Sequence, residues 1–120
     1  MIEKVAFTMY PVQDAARART FYEETLGLTR GSAAPNGVWT EYDLPGGGCF
    51  ALFQTTDLKP SGDSGGSVAF EVADLDACIT RLKAAGVSFK AENIQSPVCR
   101  MAVALDSEGN AFIVHQLNKK

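Results

Sequence analysis

The chain has 120 residues, a formal charge of −3, 46% apolar residues and 21% charged residues. This is the make-up of one ordinary folded domain rather than a disordered chain. Mild acidity argues against a nucleic-acid or anionic-membrane partner, since both reward clustered Lys and Arg, and the only adjacent basic pair is Lys119–Lys120.

Residues 5–12, VAFTMYPV, read as a first strand. Asp14 suits a helix N-cap, because a carboxylate accepts the orphan N–H groups of the first turn. A helix is predicted over Ala15–Leu26, with Ala18, Phe21, Tyr22 and Leu26 as its apolar stripe and Gly27 as its stop. Arg19 and Glu23, at i,i+4, read as a solvated face of that helix. Strands are expected near 28–33, 38–44 and 49–54, with Pro45-Gly46-Gly47-Gly48 as a hairpin turn. Residues 55–66, TTDLKPSGDSGG, read as a flexible linker, with a lid over a site as the sharper alternative.

The pattern then recurs. SVAFEV at 67–72 is strand-like, Asp74 is an N-cap, and Leu75–Ala85 is helical with Leu75, Cys78, Ile79 and Leu82 on one face and Gly86 after it. Strands follow near 87–93, 98–105 and 111–117, and Asp106-Ser107-Glu108-Gly109-Asn110 is a turn. Val12-Gln13-Asp14 is echoed by Val72-Ala73-Asp74 at a shift of 60, and Phe50–Gln54 by Phe112–Gln116 at a shift of 62. We read a single α+β domain over 1–120, built of tandem βαβββ modules (1–54 and 67–117) that form a curved mixed sheet with helices on its outer face.

No run of 18 apolar residues offers a transmembrane helix, and MIEKVAFTMYPV lacks the pattern of a secretory signal. Cys49, Cys78 and Cys99 are odd in number and contain no C-x-x-C. That fits a reducing cytoplasm better than disulfides or a thiolate zinc site, and each is expected to be a small buried hydrophobe.

The local motifs resemble the vicinal oxygen chelate superfamily of glyoxalases, bleomycin-resistance proteins and extradiol dioxygenases. Val12-x-Asp14, Arg19–Glu23 and Leu26-Gly27-Leu28 are similar to the opening of its first module. Val68–Val72 with Asp74 is similar to the opening of its second, and the 106–110 turn to its D-P-x-G-N hairpin with Ser107 in place of Pro. The resemblance implies metal-ligand positions on the first and last strand of each module. Here they hold Phe7, Ala51, Ser67 and Ile113. Ser67 alone, a neutral hydroxyl, cannot hold a divalent ion that needs three or more donors, so neither a metal nor another cofactor is expected.

Strand alternation then assigns a cavity face. Phe7, Met9 and Pro11, Ser67, Ala69 and Glu71, Ala51 and Phe53, and Ile113 and His115 are expected to face inward, as are Trp39 with Glu41 and Arg100 with Ala102. The candidate ligand-binding residues are Phe7, Met9, Trp39, Phe53, Ser67, Arg100, Ile113 and His115. His115 and Glu71 are the candidate catalytic groups, as the one side chain with an ordinary pKa near 7 and a carboxylate on the same face. Glu41 is a further acid–base candidate.

Three functions follow. The leading one is metal-independent binding of a small, partly apolar or aromatic molecule in a cleft of a cytoplasmic homodimer, as the resemblance to bleomycin-resistance proteins implies. The second is a lyase, isomerase or dioxygenase-like enzyme of the same superfamily, and the third an interaction module whose pocket is filled by its own side chains. The resemblance also implies a homodimer, since each module makes only half a curved sheet with exposed edges.

Overall fold

The computed structural model describes residues 1–118; Lys119–Lys120 lie outside the described residues. The chain divides into two compact units, Met1–Pro60 and a second beginning at Ser61. The first contains β1 (Thr8–Val12), α1 (Ala15–Thr20), a wider π-helical turn (Phe21–Thr25), β2 (Trp39–Asp43) and β3 (Cys49–Gln54). The second contains β4 (Ala69–Glu71), α2 (Leu75–Ala84), β5 (Phe89–Gln95), β6 (Cys99–Leu105) and β7 (Ala111–Leu117). The class is mixed α+β, with the strands in two mixed sheets, one of order β1-β3-β2 and one of order β4-β7-β6-β5.

Each sheet is built the same way. Its last strand pairs parallel with the first strand and antiparallel with the strand before it. One face of each sheet is closed by the unit's helix. In the first unit Tyr10, Val12, Tyr42, Phe50 and Leu52 are buried with Ala15, Ala18 and Tyr22 of the helical segment. The Tyr22 ring lies 4.9 Å from Phe50 and 6.5 Å from Tyr42. In the second unit Ala102, Ala104, Phe112 and Val114 are buried with Leu75 and Leu82. Full burial of one such large apolar side chain is worth about 1.5–3 kcal/mol.

Both helices start as their sequences require. Asp14 Oδ1 accepts from Arg17 N and Asp74 Oδ1 from Ala77 N, each at 3.0 Å. A second cap comes from the end of each last strand: Gln54 Oε1 accepts from Ala15 N and Gln116 Oε1 from Leu75 N, each at 2.8 Å. The repeated Gln thus ties a strand end to a helix start and satisfies an orphan donor there. The first helix does not stay α-helical to Leu26: from Phe21 it widens to i→i−5 bonding, with Leu26 N reaching Phe21 O at 3.0 Å.

Three expectations need correction. Residues 28–33 are not a regular strand. Gly31 N donates to Glu41 O while Glu41 N donates to Ser32 O, so two residues face one partner as in a bulge, and only Ala33↔Thr40 remains as a bridge. A side chain at Gly31 would meet the Asp43 carboxylate at 3.2 Å. Arg19 and Glu23 are not a solvated pair. Arg19 Nη1 donates to Gly37 O at 3.1 Å, and Glu23 binds Arg30 at 2.9 Å and the Tyr42 hydroxyl at 2.8 Å. Both reach inward because the β2 side of the helix offers partners that water would otherwise supply. Segment 55–66 is not a free tether. Thr55 N donates to Val12 O, and Ser61 is held to Asn110 through its N–H at 3.1 Å and to Ala111 through its carbonyl at 3.2 Å.

Candidate functional site

The face of each sheet away from its helix carries most of the expected cavity residues. In the first unit, register sets Pro11, Phe53 and Trp39 in one row and Met9, Ala51 and Glu41 in the next. Phe7, just before β1, is half-exposed and stands edge-on to Trp39 with ring centroids 5.3 Å apart. Trp39 lies 5.8 Å from Phe53. The three rings make a continuous apolar wall, with geometries that aromatic pairs favour. The indole is fixed from the next row: Trp39 Nε1 donates to Glu41 Oε2 at 2.7 Å, and the Cys49 thiol donates to Glu41 Oε1 at 3.7 Å. Burial, with Glu41 and Asp43 nearby, pushes the Cys49 thiol up from its ordinary pKa. Glu41 therefore orients the wall.

In the second unit the corresponding rows are Glu71, His115 and Met101, then Ala69, Ile113 and Val103. Glu71 and His115 meet: His115 Nδ1 and Glu71 Oε1 are 2.5 Å apart, and Glu71 Oε2 accepts from Leu117 N at 2.9 Å. The hydrogen bond to Glu71, with a second to Cys99, raises the His115 pKa above its ordinary value. The same bond to His115, and the one from Leu117 N, lower that of Glu71. A charge-assisted pair of this kind fixes the ring and its tautomer.

The structure moves two expected residues and adds one. Arg100 and Ala102 lie on the helix side, in register with Gln116 and the buried Val114. Arg100 forks onto Asp76 of α2 at 3.1 and 3.4 Å. The open-face residues of β6 are Cys99, Met101 and Val103. Alternation could not show this, because residues 101–104 (MAVA) are apolar on both faces. Ser67 precedes β4 and is exposed. The residue added is Cys99, which shares the open face with Met101 and His115. None of the three cysteines is the fully buried hydrophobe expected, and all are half-exposed free thiols. The first unit also has a cleft of about 690 Å³ lined by Gln13, Gln54, Thr55, Thr56, Leu58 and Lys59, which contains none of the expected residues.

A model of the Glyoxalase/Bleomycin resistance protein/Dioxygenase superfamily matches residues 4–114. The chain belongs to this superfamily. It is 34% identical over 110 residues to an anthracycline biosynthesis protein, DauV, of Streptomyces sp. (strain C5). That match covers 88% of this chain and 38% of the relative, so the chain spans well under half of that protein's length. Among solved structures, it is similar to TnmS3, an antibiotic binding protein from Streptomyces sp. CB03234, with a TM-score of 0.79 and 24% identity over 98% of both chains. It is also similar to a superfamily member from Sphaerobacter thermophilus DSM 20745, with a TM-score of 0.80 and 27% identity over 96% of this chain and 98% of that one.

Some members of this superfamily are metalloenzymes, and the residues here do not fit that role. Phe7 presents a phenyl ring that packs on Trp39; Ala51 and Ile113 carry no donor; Ser67 is exposed ahead of its strand. Among the described residues no three His, Cys, Asp or Glu side chains are grouped to hold a metal ion. Glu71 and His115 are close, but Glu71 is spent on Nδ1 and on Leu117 N. Also among the described residues, no helix is long and apolar enough to cross a membrane.

Proposed function

We propose that this superfamily member binds a small, partly apolar or aromatic molecule without a metal, in a cleft completed by a second copy of the chain in the cytoplasm. The observation that carries this reading is the half-exposed wall of Phe7, Trp39 and Phe53, whose central indole is already fixed by Glu41. A preformed aromatic surface with one oriented polar group suits a flat, apolar ligand. Met9 borders the wall in the next row of the first sheet. The likeness to an antibiotic binding protein over nearly the full length of both chains, and to a protein of anthracycline biosynthesis, supports a polycyclic aromatic ligand. The exposed apolar side chains of Met1, Ile2 and Val5, beside Phe7, support burial against a second copy.

Trp39 is the only tryptophan, so its fluorescence reports on the wall directly. Titration with an anthracycline is expected to change Trp39 emission saturably. Phe53→Ala should weaken binding about tenfold, the loss of one aromatic contact. The response should be unchanged by a chelator. A flat titration, or one that needs added metal, overturns the proposal. Light scattering should give twice the chain mass; a monomer at binding concentrations overturns the shared cleft.

A further inference from the structure

Cys99 of β6 stands directly opposite Leu117 of β7, and Met101 opposite His115. Cys99 and His115 are therefore diagonal neighbours on one face of an antiparallel pair, a spacing that long side chains can bridge. Glu71 holds Nδ1 of the ring, which leaves Nε2 for a proton from the thiol. Glu71 is itself fixed at its other oxygen by Leu117 N. On the far side of the sulfur, Ser96 Oγ lies 3.2 Å from Sγ. That hydroxyl already accepts from Val98 N and Cys99 N. With its acceptor sites used, its own proton is free to donate to the sulfur, as a thiolate requires. Ser96, His115 and Glu71 are the polar groups that β4, the β5–β6 turn and β7 bring to this thiol; Arg100, the nearest cation in sequence, is on the other face with Asp76. Val98 and Leu117 are 65% and 60% exposed beside it, so the approach is apolar.

We propose that Cys99 is a nucleophile that adds covalently to small apolar electrophiles of the activated-alkene class, with His115 as its base and Glu71 as the positioning residue. The arrangement has the three parts of an activated nucleophile: attacking atom, base, and a group that orients the base. In the step, His115 Nε2 takes the thiol proton and the sulfur forms a bond to the β-carbon of the alkene. The C=C π pair moves to give an enolate, and the enolate recovers the proton from the imidazolium. Nothing is oxidised or reduced and no group leaves. One nucleophile and one proton carrier are all that conjugate addition consumes. Covalent capture goes beyond the reversible binding proposed above and rests on it only for the delivery of an apolar molecule to this face.

The probe is N-ethylmaleimide, limiting, at pH 7, with the rate at each cysteine read by peptide mass spectrometry. Cys99 is expected to react at least about tenfold faster than Cys49 and Cys78, whose thiols burial holds up. His115→Gln should remove that advantage and move the pH–rate profile of Cys99 up by about one unit, a tenfold change at neutral pH. Glu71→Gln should fall between. Circular dichroism and thermal unfolding of both variants check that the fold is intact. Equal rates at the three cysteines, or an unchanged profile in folded His115→Gln, overturns the proposal. Cys99→Ser separates the two readings. Lost labelling with an intact Trp39 response is expected; an intact response with no selective labelling in the native chain overturns covalent capture alone; selective labelling with no Trp39 response overturns the binding reading alone.

Discussion

In both units the last strand lies between a parallel first strand and an antiparallel neighbour, yet the open faces differ at corresponding positions. Pro11, Phe53 and Trp39 share a row in the first unit, and Glu71, His115 and Met101 in the second. The helix-facing sides share a framework, Phe50 matching Phe112, Val12 matching Val72, Gln54 matching Gln116 and Asp14 matching Asp74, while the filling varies in size: Tyr42 lies opposite Phe50 where Ala104 lies opposite Phe112. Burial explains the contrast. A side chain packed under a helix must be apolar and of the right volume, or a polar group with its partner in place. The open face is under no such rule, so one unit carries an aromatic wall and the other a Glu71–His115 pair on the same framework.

The largest effect should come from the shared side. Phe50→Ala and Phe112→Ala are each expected to lose about 3–5 kcal/mol by urea unfolding, since both rings are buried and leave a cavity. A loss below about 2 kcal/mol in one of them would show that the two cores are not equivalent. The strand-end caps come next. Gln54→Ala and Gln116→Ala should each lose about 1 kcal/mol, the ordinary worth of one satisfied helix donor, and Asp14→Ala and Asp74→Ala about the same. Unequal losses within either pair would break the match between the units.

The smallest effect on stability, and the one that separates the open faces, is the pH response of the second unit. The folded pKa of His115 is raised, so its contribution is complete below its ordinary value of 6.5 and is lost as pH rises through the folded value. The folded pKa of Glu71 is lowered, so its contribution is complete above its ordinary value of 4.5 and is lost as pH falls through the folded value. Their joint contribution is therefore greatest between pH 4.5 and 6.5. His115 is the only histidine, so its ring proton gives one proton-NMR titration. The midpoint should lie above 6.5 and drop in Glu71→Gln. A midpoint at or below 6.5, or one that Glu71→Gln leaves in place, would show that the pair does not hold in solution.

The sequence by itself determined the α+β class, the order of most elements and the superfamily. Period-two apolar runs, Asp caps and terminal glycines are local signals, and each acts within a few residues of where it is written. It also placed Phe7, Met9, Trp39, Phe53, Ile113 and His115 on the face away from the helix, because the Asp14 and 106–110 motifs and the repeat anchor the register on the first and last strands and alternation carries it along them. Where contrast is missing, alternation is silent, and Arg100 and Ala102 were put on the wrong face of a strand apolar on both sides. Tertiary structure alone decided the meetings between elements. Glu23 turns to Arg30 and Tyr42, Gln116 caps a helix 41 residues away, and Glu71 meets His115 across a strand pair. Such contacts depend on register between segments distant in sequence, and register is set when whole faces are buried together, not by any residue's own preference.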